Sequence, residues 1–138
     1  MMPKYNLTWQ ETDVQLLEAL LLATGGEGGA PLQEVLLMSD ALDGVVLSLQ
    51  EVEEALLKLL AVDYVSIQKN KLYLAPEFLQ AYEEITLSEG IVEEDEQKPL
   101  LKLLQQQDLD EQRLEEVNAT LKKYKLKNQY QQYLEQYG

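Results

Sequence analysis

The stretch that decides the fold runs from Ser48 to Ala75 and reads SLQEVEEALLKLLAVDYVSIQKNKLYLA. Ser48 stands three residues before Glu51, so the hydroxyl and the carboxylate can each accept a hydrogen bond from the other residue's backbone N–H in a capping box. Apolar residues then recur at helical spacing and form one stripe. The stripe contains Val52, Ala55, Leu56, Leu59 and Leu60. This pattern predicts a helix that ends near Ala61.

The apolar period changes from helical to two after Asp63. In residues 65–68 and 72–74, apolar side chains alternate with other side chains, as they do in half-buried strands. Between the two segments lie Lys69, Asn70 and Lys71, a polar turn in which asparagine tolerates a positive φ. The sequence therefore predicts a β-hairpin directly after the helix.

Another helix is predicted near the N-terminus. Thr8 and Glu11 have the spacing of a second capping box, and the helix that they open runs to about Ala23. The glycine-rich residues 25–29 follow this helix and are interpreted as a flexible connector. They do not indicate a phosphate-binding loop, because no strand precedes them, no Lys-Ser or Lys-Thr follows them, and their one acid repels phosphate.

A second helix begins at Pro31 and is capped by Gly44, and the apolar residues 45–47 predict a short third strand. This order of helix, helix, short strand, helix and hairpin resembles the winged-helix superfamily over about residues 8–75. The resemblance implies a mainly α fold with a small β-hairpin. It also implies a DNA-binding transcriptional regulator that uses the Ser48–Ala61 helix and a wing at Lys69–Lys71.

The remaining residues predict further helices. Pro76 opens one, the acidic residues 93–96 form a solvated linker, and apolar periodicity continues with a break near residues 126–128. We expect a winged-helix domain at residues 1–92 and a C-terminal helical extension at residues 93–138. The extension carries an apolar stripe with spacings of three, four and three residues. Through this stripe the extension packs on the first domain or on a second copy of the chain in a homodimer. This stripe is Leu114, Val117, Leu121 and Tyr124.

Composition limits the function. The 138 residues carry a formal net charge of −14, of which −11 falls on residues 1–92, and such a charge repels nucleic acid and anionic membrane surfaces. No apolar run approaches the roughly 20 residues that cross a bilayer. The chain has no cysteine, and a cytoplasmic protein that does not bind membranes is the expectation.

The sequence also disfavours an enzyme. Histidine and cysteine are absent, which excludes the usual catalytic triads and zinc sites. The carboxylates fall on helix faces and in the linker, and the acids at 93–96 and 108–111 lack the alternating ligands and central glycine of a calcium loop. We expect no catalytic residue, no cofactor and no metal.

A protein-interaction or scaffolding module is the first functional hypothesis. On a helical wheel the outward face of the Ser48–Ala61 helix consists of Gln50, Glu54, Leu57 and Ala61. Of these residues only Gln50 suits a base edge. Glu54 and the flanking Glu51 and Glu53 would face phosphate groups, which repel them. Leu57 and Ala61 are either a small protein-contact patch with a charged rim or isolated exposed apolar residues. If they are a patch, Leu57→Asp abolishes partner binding and leaves the fold intact.

DNA binding is the alternative hypothesis. Its contacts would come from Lys58, Lys69, Lys71, Lys122, Lys123, Lys125 and Lys127. The last four lysines lie among Tyr124, Tyr130, Tyr133 and Tyr137. Lysines with interleaved tyrosines can grip single-stranded nucleic acid by charge and stacking. The tyrosines fall on the apolar phase of the helices, however, so packing in the core is the favoured interpretation, and docking of the cluster on the acidic domain is a third.

Overall fold

A computed structural model describes residues 8–25, 28–44, 47–69, 71–89 and 97–137. In chain order the elements are α1 (Glu11–Thr24), β1 (Gly29–Ala30), α2 (Leu32–Asp43), α3 (Leu49–Ala61), β2 (Val65–Gln68), β3 (Lys71–Leu74), α4 (Pro76–Glu89), α5 (Gln97–Gln105), α6 (Glu111–Tyr124) and α7 (Leu126–Tyr137). The predicted fold class is confirmed, since the chain is mainly helical with one small antiparallel sheet.

The capping box predicted at the start of α3 is present. The Ser48 hydroxyl accepts from the Glu51 N–H at 3.2 Å, and the Glu51 carboxylate accepts from the Ser48 N–H at 2.9 Å. These two bonds satisfy backbone donors that the first helical turn leaves without a partner. The cap therefore fixes where α3 begins.

The sheet has the strand order β1-β3-β2, and both strand pairs are antiparallel. The predicted hairpin is confirmed, with Val65 opposite Leu74 and Gln68 opposite Lys71. The third strand, however, is Gly29–Ala30 and does not lie in residues 45–47. Residues 45 and 46 lie outside the described part of the chain, and Leu47 is buried without being in a strand. This element order is compatible with a winged-helix arrangement.

Gly29 explains why a glycine-rich segment contributes a strand. It pairs with Tyr73, and a Cβ at this position would lie 2.5, 2.6 and 2.9 Å from carbon atoms of the Tyr73 ring. The absent side chain lets the ring lie over the backbone. The prediction of a flexible connector is therefore wrong at Gly29.

The start of α1 differs from the predicted one by two residues, and the two ends of α6 are set by Asp110 and Lys125. Helix α1 begins after Gln10, whose N–H donates to the Asp13 carboxylate at 2.8 Å, so Asp13 has the capping role that the sequence assigned to Glu11. Helix α6 is capped by Asp110, which accepts from the Gln112 N–H at 3.0 Å. The predicted break near residue 126 occurs at Lys125, whose φ is +57°.

One continuous core joins the N-terminal elements to the C-terminal helices. Helix α5 packs on α1 and α4, α6 packs on α3, and α7 packs on α2. The four residues of the predicted stripe are buried in this core: Leu114, Val117, Leu121 and Tyr124. The stripe thus packs within its own chain. Residues 90–96, where a domain boundary was predicted, lie outside the described residues, and no described helix is long and apolar enough to span a membrane.

Candidate interaction surfaces

The outer face of α3 is covered by α6. Leu57 and Ala61 are only 7% and 8% exposed, so the prediction that they point into solvent is wrong. Arg113, near the start of α6, contacts the end of α3, and the Tyr130 hydroxyl of α7 donates to the Leu47 carbonyl at 2.7 Å, just before α3 begins. Helix α6 therefore runs antiparallel along α3 and occupies the face that a DNA-reading helix would present.

Arg113 ties the two helices together. Its guanidinium donates to the Asp63 carboxylate at 2.8 Å, to the Ala61 carbonyl at 3.3 Å and to the Glu116 carboxylate at 3.2 Å. The Ala61 carbonyl belongs to the last turn of α3, where backbone acceptors lack helical partners. The sequence analysis did not predict a role for Arg113, and the one available signal was that it is the chain's single arginine.

The start of α3 remains open. Gln50 and Glu53 are exposed and Glu54 is half-buried, and the Gln50 amide donates to the Glu54 carboxylate at 3.3 Å. We refer to Gln50, Glu53 and Glu54 as the acidic strip. Of the four residues predicted to contact a partner, the structure therefore leaves Gln50 and Glu54 accessible.

Lys58 is unavailable for a phosphate contact. It is 2% exposed, and its ammonium lies 2.5 Å from the Asp13 carboxylate, donates to the Thr8 carbonyl at 3.0 Å and sits 5.8 Å from the centre of the Trp9 ring. Burial raises the pKa of the Asp13 carboxyl, against the opposing effect of Lys58. The pair fastens α3 to the start of α1, and the prediction that Lys58 is a surface residue is wrong.

The other predicted nucleic-acid contacts are all exposed. They are Lys69, Lys71, Lys122, Lys123, Lys125 and Lys127. The tyrosines among them are not stacking platforms, because Tyr124 and Tyr133 are each 2% exposed and Tyr130 is half-buried. This confirms the interpretation that these rings belong to the core. The side chain of Tyr137 lies outside the described part of the structure.

The Tyr124 hydroxyl is the buried polar atom that has no hydrogen-bond partner among the described residues. The Leu32 backbone and the Gln129 side chain are its polar neighbours, and burial raises the pKa of Tyr124 to about 12. By contrast, the buried Tyr64 hydroxyl donates to the Leu103 carbonyl at 3.1 Å. The two tyrosines therefore offer a matched pair for experiment.

Tyr124→Phe is expected to change the free energy of unfolding by less than about 0.5 kcal/mol at neutral pH, whereas Tyr64→Phe should cost about 1 kcal/mol. At high pH the unfolded chain ionises Tyr124 first, because its folded pKa is the higher one, so stability falls as pH rises from about 10 towards 12. Tyr124→Phe removes this loss, which reaches about 1.4 kcal/mol by pH 11 because one pKa unit corresponds to about 1.4 kcal/mol. Urea denaturation of the wild type and of Tyr124→Phe at pH values from about 9 to about 11 measures this difference. If the free energy of unfolding of the two proteins fell equally with pH, the prediction would be contradicted.

In the described part of the chain, no group of three or more acidic side chains is placed to hold a metal ion, and the acids at 93–96 lie outside that part. Comparison of the chain with family models, with curated proteins and with solved structures finds no match.

Proposed function

We propose that this chain is a winged-helix protein-interaction module without enzymatic activity, and that α3 does not read DNA. The observation that carries the proposal is the cover that α6 places on α3. A helix that reads the major groove must present its outer face to base edges, and here the outward residues Leu57 and Ala61 are buried. The same packing supports a role in protein binding, because the outer face of α3 already makes a protein contact, with helix α6.

The acidic strip is the part of α3 left for a partner. Its two glutamates repel phosphate groups, and Lys58, which neighbours them on the helix, is paired with Asp13. Charges across a protein interface are generally complementary. The fitting partner is therefore a protein segment that carries lysine or arginine, and contact would be made through Gln50, Glu53 and Glu54.

A photo-cross-linking residue at Gln50, in the cells that produce the protein, tests this proposal. The structure supplies a matched control on α4, where the Gln80 amide donates to the Glu84 carboxylate at 3.2 Å with the same four-residue spacing. We expect one dominant protein adduct from position 50 and none of that mass from position 80. Glu54→Lys should abolish the adduct, and Glu84→Lys should leave it unchanged.

Two results would contradict the proposal. One is the same set of adducts from positions 50 and 80, which would mean that the acidic strip has no specific partner. The other is an adduct from position 50 that contains nucleic acid, which would favour the regulator hypothesis in spite of the cover on α3.

A further inference from the structure

The six exposed lysines come from distant parts of the sequence, and the start of α2 brings them to one end of the molecule. Ala30 pairs with Leu72 in the sheet, so the chain leaves β1 beside Lys71 and the hairpin turn. Helix α2 begins two residues later, at Leu32. The first turn of α2 therefore lies next to the wing lysines, Lys69 and Lys71.

The junction between α6 and α7 approaches the same turn of α2. The Tyr124 ring is buried with its hydroxyl beside the Leu32 backbone, and the Gln33 amide donates to the Gln132 side chain of α7 at 2.9 Å. The four lysines of residues 122–127 thus lie near the first turn of α2, which the wing also approaches. We call these six lysines the basic end.

The local conformation turns the junction lysines outward. Tyr124 and Leu126 are buried at 2% and 6% exposure, whereas Lys122, Lys123 and Lys125 are exposed, as is Lys127. Lys125 has the left-handed φ of +57°, which ends α6 and redirects the chain into α7. Two apolar anchors therefore hold the segment against the core while its ammonium groups face solvent.

Among the described residues these ammonium groups have no partner. No ion pair or side-chain hydrogen bond joins any of the six to another described residue, whereas Lys58 and Arg113 are both paired. The six lysines outnumber the two exposed acids closest along the chain to the Gln33–Gln132 contact, Glu34 and Glu135. In a chain with ten lysines and a net charge of −14, six of the lysines are thus exposed at this end.

We propose that the basic end binds the phosphate backbone of nucleic acid without reading its sequence. Lysine is a compact point charge suited to phosphate, and the surface has no arginine for bidentate base contacts. The six lysines supply positive charge on long flexible stems, which suits contact with a phosphate backbone more than recognition of one base sequence. This inference is independent of the acidic strip and extends the function beyond protein binding.

Fluorescence anisotropy with labelled random-sequence duplex DNA, at about 50 mM and about 200 mM salt, tests the inference. Lys122→Ala/Lys123→Ala and Lys69→Ala/Lys71→Ala should each weaken binding at least fivefold at low salt. Each pair should also lower the slope of log affinity against log salt by about 2. Lys102→Ala removes an exposed lysine from α5, which packs on α1 and α4, and should change the affinity less than twofold.

Three outcomes would overturn the inference. They are no binding by the full chain at low salt, equal salt slopes for the wild type and both double variants, and equally tight binding to a polyglutamate of matched charge. The last outcome would assign the surface to an acidic protein. Circular dichroism of each variant confirms that it is folded, and cross-linking from Gln50 should proceed unchanged in all of them, which separates this test from that of the proposed function.

Discussion

Leu57→Asp is expected to lower the free energy of unfolding by roughly 3–5 kcal/mol, because it places an unpaired carboxylate between α3 and α6. That is a large share of the 5–15 kcal/mol typical of a folded domain. The sequence alone led to the opposite expectation, an intact fold with lost partner binding. Urea denaturation followed by circular dichroism gives the free energy of unfolding directly.

Gln50→Asp is the matched control for this substitution. It adds the same carboxylate to the same helix at an exposed position and should change stability by less than about 0.5 kcal/mol. Hydrogen exchange of Leu57→Asp should show the amides of α6 losing protection before those of α1. Equal stability of Leu57→Asp and Gln50→Asp would show that α6 does not cover Leu57 in solution.

Lys58→Met is expected to cost roughly 3–5 kcal/mol, since it leaves the Asp13 carboxylate buried without its partner. Loss of Lys58 raises the pKa of Asp13 further above its unfolded value. A carboxyl with a raised folded pKa stabilises the fold at low pH, and this contribution is lost as pH rises through the folded pKa. The penalty of Lys58→Met relative to the wild type should therefore shrink between about pH 7 and about pH 4, as measured by chemical denaturation.

The double variant Asp13→Leu/Lys58→Met separates the charge from its surroundings. An apolar pair of similar volume frequently replaces a buried ion pair at little cost. We expect the double variant to be more stable than Lys58→Met by at least about 2 kcal/mol. Additive losses would mean that the two side chains act independently in spite of the 2.5 Å between their charged atoms.

Local signals in the sequence were sufficient for most of the fold. The capping box at Ser48, the change of period after Asp63 and the glycine at the end of α2 each act within a few residues, and all three are present in the structure. The strand at Gly29 escaped prediction because two residues have no periodicity. Its position depends on Tyr73, a residue far along the chain.

The burial of the outer face of α3 had a signal that the helical wheel concealed. From Ala55 to Ala61 every residue except Lys58 is apolar, and a helix that is apolar on all sides is generally buried on all sides. Sorting the residues into one inward stripe left Leu57 and Ala61 as outward residues by default. Lys58 was also wrongly predicted to be exposed. A lysine is almost never fully buried unless it is paired, and the partner of Lys58, Asp13, lies 45 residues away in the sequence.

The contact between α3 and α6 also has a consequence for synthesis. Leu57 leaves the ribosome more than fifty residues before the buried residues Leu114, Val117 and Leu121. At the usual elongation rates of about 5–20 residues per second, the apolar outer face of α3 stays exposed for several seconds until α6 has been synthesised. Trp9 is without its hydrogen-bond acceptor for longer still, because its indole donates to the Gln107 carbonyl at 3.1 Å and the two residues are 98 positions apart. The nascent chain therefore passes through a period in which chaperones, or a second nascent chain, have access to a helix face that the finished protein conceals.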